Sequence, residues 1–166
     1  MASSMSAEII GTAARYDQQF QVPDLPVVRL GAAVVEDGDG AALCGVPKPQ
    51  ILSGEFARTH LPGLLAKCDG TRSHARLAEE LSLSEDAVFK AVAFLWSCGA
   101  VEDRAAALPY EDVPEELATM LSRLGDCTGV ARHWTEGLDR LRATRIAVVG
   151  DQHGAGALAD LLSALS

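Results

Sequence analysis

The segment spanning residues 84–99 constrains this chain more than any other. Ala87, Val88, Phe89, Ala91, Val92, Ala93, Phe94, Leu95 and Trp96 leave only Lys90 and Ser97 as interior polar positions. A surface helix shows one apolar stripe and a polar remainder, so a helix this apolar needs cover on nearly every side. Ser84 supplies an N-cap, Glu85 and Asp86 suit the positive end of the helix dipole, and Gly99 marks the stop. Val88, Val92, Leu95 and Gly99 form one stripe, assigned to the domain core. Phe89, Ala93 and Trp96 repeat the spacing one step round. This second stripe has two readings: packing beneath helices of the following linker, or the floor of a groove in which aromatic rings anchor a ligand.

The surroundings of this helix divide the chain of 166 residues into one compact domain with appendages. Residues 1–26 end in Pro23 and Pro26 and are expected to form a loose arm. Residues 27–36 are β-branched and apolar and are expected to form a first strand. Asp37-Gly38-Asp39-Gly40 supplies a hairpin turn, residues 41–45 return, and residues 50–53 form a short third strand at a sheet edge. Helical spacing begins after Glu55, with Pro62 and Gly63 predicting a late or irregular start, and Asp69-Gly70-Thr71 ends it. Ser73 caps a second helix through Leu81, and residues 100–103 close the domain as a β-stub. The expected class is α+β: a winged helix-turn-helix with a three-stranded antiparallel sheet over residues 27–104. A helical linker over 105–143 follows, with helices at 115–124 and 131–142, and then a partial Rossmann-like βα unit over 144–166.

Two stretches resemble known families. Leu65-Ala66-Lys67-Cys68-Asp69-Gly70-Thr71-Arg72-Ser73, followed by Leu77-Ala78-Glu79-Glu80-Leu81, is similar to the helix, turn and second helix of PqqD-like proteins, and Cys98-Gly99-Ala100-Val101 matches the corner after their third helix. Residues 132–166, with Leu141-Arg142-Ala143-Thr144-Arg145 leading into Ile146-Ala147-Val148-Val149-Gly150, look like the entry to the ThiF-like domain of azole-peptide cyclodehydratase partners. The first resemblance implies a RiPP recognition element, a non-catalytic adaptor that binds the leader of a ribosomally made precursor peptide and delivers it to a modifying enzyme, here a YcaO-type cyclodehydratase. It also places the strand 50–53 beside the third helix. A guest peptide could then add to that edge by backbone pairing along Gln50, Ile51, Leu52 and Ser53, with Phe89, Lys90, Ala93 and Trp96 selecting its side chains.

Other chemistry finds little support. The net charge of −9 opposes a nucleic-acid partner, and Lys90 stands against Glu85 and Asp86 where a DNA-recognition helix needs several basic or amide side chains. Gly150-Asp151-Gln152-His153-Gly154-Ala155-Gly156 departs from a nucleotide-binding glycine turn at its second and third glycines, so no cofactor is expected. Four widely spaced cysteines and four scattered histidines suggest neither a metal site nor a catalytic set. No apolar run reaches membrane-spanning length and no signal sequence is visible, which points to the cytoplasm with no membrane partner. The alternatives are a DNA-binding winged-helix regulator and a non-functional fragment of a ThiF-like adenylating enzyme.

Overall fold

The structure, a computed structural model, describes residues 6–17, 19–37, 40–125, 131–145, 156–158 and 160. The order of elements is α1 (Ala7–Tyr16), β1 (Pro26–Val28), β2 (Ala33–Asp37), β3 (Gly40–Cys44), β4 (Gln50–Ser53), α2 (Glu55–Thr59), α3 (Leu61–Lys67), α4 (His74–Leu81), α5 (Glu85–Ser97) and β5 (Val101–Asp103). A 3-10 turn (Arg104–Ala106), α6 (Glu115–Leu124) and α7 (Trp134–Ala143) follow. The class is α+β, with a three-stranded antiparallel sheet in the order β2-β3-β4 and a two-stranded antiparallel pair β1-β5.

α5 is the centre, as its composition demands. Val88, Val92, Leu95 and Trp96 lie in one core with Leu43 of β3, Leu61 and Leu64 of α3, and Leu77 of α4. Ser84 accepts a hydrogen bond from the Ala87 N–H at 3.1 Å and so fixes the helix start. The Ser73 hydroxyl likewise accepts from Arg76 and opens α4. Pro62 at the start of α3 separates it from α2 at His60, the irregularity that Pro62 and Gly63 predicted.

Two expectations are corrected. Residues 1–26 are no loose arm: Ser6 accepts from the Ile9 N–H at 3.2 Å and opens α1, which lies along α5. Prolines 23 and 26 end this segment without preventing a helix upstream of them. Residues 27–36 are not one strand. Gly31 adopts φ +77°, the Ala32 N–H bonds to the Arg29 carbonyl at 3.1 Å, and the chain turns from one sheet into the other. The β-stub pairs with β1, Pro26 opposite Asp103 and Val28 opposite Val101, so it closes the domain on its own entry strand. The strand expected at 145–150 beyond Arg145, the glycine turn before Gly156 and most of the helix after it lie outside the described residues.

The Asp-Gly-Thr turn is a structural junction. The Asp69 carboxylate accepts from the Thr71 N–H at 2.9 Å and the Thr71 hydroxyl at 2.6 Å, and it also pairs with Arg72. These contacts hold its pKa well below the usual carboxylate range, the Thr71 hydroxyl contributing most. Gly70, at φ +79°, donates to the Pro26 carbonyl at 2.9 Å and ties the turn to β1.

A buried polar cluster attaches α6 and α7. The Arg29 Nη1 donates to Glu102 Oε1 at 2.9 Å and to the Ser122 carbonyl at 2.5 Å, and the Ser122 hydroxyl donates to the same Glu102 oxygen at 3.0 Å. Arg29 and Glu102 are each 2% exposed. Asp103 pairs with Arg132, and His133 caps α7 with its Nε2 3.9 Å from Glu102 Oε2. Burial raises the Glu102 pKa against the opposing pull of Arg29 and Ser122, while burial, with the Arg104 and Arg29 charges, pushes His133 down to about 4.

Two outcomes follow from this cluster. Removing one member of the buried pair, as in Arg29→Leu or Glu102→Leu, strands the other charge and should cost about 3–5 kcal/mol in urea unfolding, while the double variant recovers much of that loss. His133 stays neutral in the fold but takes up a proton in the unfolded chain near 6.5, so its contribution is intact above pH 6.5 and is lost as pH falls toward 4. Glu102, with its raised pKa, acts in the opposite sense. His133→Asn, which keeps a capping side chain without titrating, should therefore lose less stability than the parent between pH 6.5 and 4, by about 2–3 kcal/mol, as read from melting curves.

Candidate functional site

β4 is the outer strand of its sheet. Its inner edge pairs with β3 in the register Ala41 opposite Leu52 and Ala42 opposite Ile51, and no strand lies beyond it among the described residues. The strand alternates as the pleat requires: Leu52 packs against the core, whereas Ile51 is 73% exposed. Sequence alone left open which of the two points inward. Gln50 is half-buried and Ser53 exposed, so one face of β4 is anchored and the other turns to solvent. Cross-strand neighbours Val35, Ala42 and Ile51 extend an apolar row over the solvent face of the sheet.

The α5 residues expected to line a groove divide into two groups. Trp96 has no exposed surface and belongs to the core cluster, so it is no groove floor. Ala93 is also fully buried. Phe89 and Lys90 lie on the face toward α1. The Arg15 guanidinium sits 4.9 Å from the Phe89 ring centroid, and the His74 ring meets Phe89 edge-on at 5.8 Å. Lys90 Nζ pairs with Glu8 of α1 and with Asp86, each at 2.7 Å, and Arg15 also pairs with Asp86. Gly11 of α1 rests directly on Lys90; a Cβ there would stand 2.5 Å from Lys90 Cγ. The second stripe is thus covered, in its Phe89 part, by the N-terminal helix rather than by the linker helices. The missed signal was Ser6, three residues before Ile9, which opens α1 as Ser73 and Ser84 open later helices.

α1 meets β4 at one crevice. Ile10, Ala13, Phe20, Lys48, Gln50 and the α5 end at Ser97 and Cys98 line a space of about 270 Å³. Lys48 Nζ also reaches the Ser97 carbonyl at 3.4 Å. A larger open groove of about 800 Å³ lies between the turn at Gly45 and Val46 and the α6 face carrying Glu116, Met120 and Leu124. It holds no nucleophile paired with a base. The Cys68 thiol is buried and pushed up to about 12, chiefly by loss of solvation, which makes it unreactive. Among the described residues no group of three or more His, Cys, Asp or Glu side chains could hold a metal, and no helix is long and apolar enough to cross a membrane.

Core and cover residues should respond differently to truncation. Trp96→Ala is expected to cost about 3–5 kcal/mol of stability, as large buried rings do. Phe89→Ala, half-buried under Arg15, should cost about 1 kcal/mol and leave the domain folded, with both read by chemical denaturation.

Compared with known proteins, the chain matches no protein-family model, no curated protein and no solved structure.

Proposed function

We propose that this protein is a non-catalytic peptide-binding adaptor that takes the leader of a ribosomally made precursor peptide as an added strand on β4 and delivers it to an azoline-forming YcaO-type cyclodehydratase. The open outer edge of β4, fixed on its inner side by β3 and by Leu52, carries the reading. An extended peptide laid along Gln50, Ile51, Leu52 and Ser53 satisfies the backbone groups of that edge, and the exposed Ile51 offers it an apolar contact. The resemblance of residues 65–81 to PqqD-like proteins supports the same reading. It treats α3, α4 and α5 as the helices of a winged helix-turn-helix, and residues 144–166 as the start of a ThiF-like, Rossmann-type fold. Precursor and modifying enzyme meet in the cytoplasm, so the reading carries that location with it.

The DNA-binding alternative is poorly served by the geometry. The first turn of α5 presents Glu85 and Asp86, and α1 covers Lys90. The adenylating-enzyme alternative depends on residues outside the described part of the chain.

The test is a set of fluorescein-labelled synthetic peptides carrying acidic leader sequences of azole-peptide precursors. Their anisotropy should rise with micromolar affinity or better, about −8 kcal/mol, with no added nucleotide or metal. Alternate residues of β4 aim their N–H groups outward, so one of Gln50→Pro and Ile51→Pro should abolish binding while circular dichroism shows a folded domain. Both positions avoid the core side chain of Leu52. Parental affinity in both folded proline variants would exclude strand addition at β4.

A further inference from the structure

The geometry points to α1 as a resident occupant of the guest-binding face of α5, which the incoming peptide must exchange; this inference rests on the peptide-binding reading above. α1 covers Phe89 and Lys90 and shares the crevice at Gln50 where β4 approaches the end of α5. A peptide strand on β4 whose side chains turn toward α5 meets α1 first.

The contacts holding α1 suit exchange. Among its described residues only Gly11 and Ala14 are buried, while Ile9 is 69% and Tyr16 86% exposed. Little apolar side-chain surface therefore holds the helix down beyond the close approach of Gly11 to Lys90 and the stacking of Arg15 on Phe89, and its polar contacts are ion pairs at the protein surface. Glu8 is exposed in its pair with Lys90, and Arg15 and Asp86 are each about half exposed. Such pairs are weak and screened by salt. The α5 face beneath is by contrast formed without α1, because Val88, Val92, Leu95 and Trp96 hold the helix from the other side. Ten residues of helix are also too few to be stable alone, so α1 frays once it leaves α5. Departure exposes the Phe89 ring and frees Lys90 from Glu8, giving the guest an aromatic surface and a cation suited to an acidic residue.

Two variants loosen α1 by independent means. Gly11→Ala places a methyl against Lys90 while improving helix propensity, and Glu8→Lys with Arg15→Glu sets like charges against Lys90 and Asp86. Both leave the α5 core untouched, and circular dichroism verifies their folding. The same labelled leader peptides should bind each variant about tenfold more tightly than the parent, which corresponds to α1 being seated about nine-tenths of the time. Adding a synthetic peptide of residues 6–17 in excess should return the variants toward parental affinity. In the parent, leader should accelerate amide hydrogen exchange across residues 9–16. Unchanged affinity in both folded variants overturns the exchange, as α1 then covers nothing the guest uses. Weaker binding also overturns it, by making α1 part of the guest site. Absence of leader binding in parent and variants alike brings down the peptide-binding reading itself, and the exchange with it.

Discussion

The buried pair of Arg29 and Glu102 decides how the parts of this chain are joined. Arg29 stands just past β1 and Glu102 in the middle of β5, so the pair locks the two ends of the domain together. Through Ser122 the same cluster reaches α6, and through Arg132 and His133 it reaches the start of α7. Two charges at this depth are worth having only when every neighbour is in place, because a desolvated ion that loses its partner costs more than the pair contributes. Gly125 belongs to that fit, since a Cβ there would overlap the Arg29 guanidinium. The linker helices are therefore positioned by polar geometry, whereas the domain they adjoin is held by apolar packing around α5.

That difference explains what could be read from the sequence. α5, α4, β4 and α6 were legible because each is set by local signals: Ser84 and Ser73 as caps, the proline-bounded run at 50–53, and acidic residues after Pro114. Asp-Gly-Thr was legible as a stop. The separation of β1 from β2 was not, because residues 27–35 are apolar apart from Arg29, and the partner of Arg29 lies 73 residues away. Helix α1 escaped for a similar reason. Its inward stripe of Ala7, Ile10, Gly11 and Ala14 is short and made mostly of small residues, and its interactions with Asp86 and Lys90 are long-range. The place of Trp96 was not legible because a helix buried on several sides has more than one inward stripe, and period alone cannot rank them.

The candidate site shows the same separation of causes. The edge of β4 is open by topology, a property a short strand after Pro47 and Pro49 announces in advance. The state of the neighbouring α5 face is set by tertiary contacts of a distant segment. Sequence could thus place the edge strand but could not show that the adjacent α5 surface is covered by α1.

The pairing of Pro26 with Asp103 has one further consequence. Paired strands run about 4.8 Å apart, so the chain enters and leaves the intervening domain at nearly the same point. A unit whose two ends meet can be spliced into a surface loop, or placed ahead of or behind an unrelated enzyme, without stretching its host. The clip between β1 and β5 therefore lets the segments before residue 26 and after residue 103 leave the domain side by side, which is why both can pack back onto it.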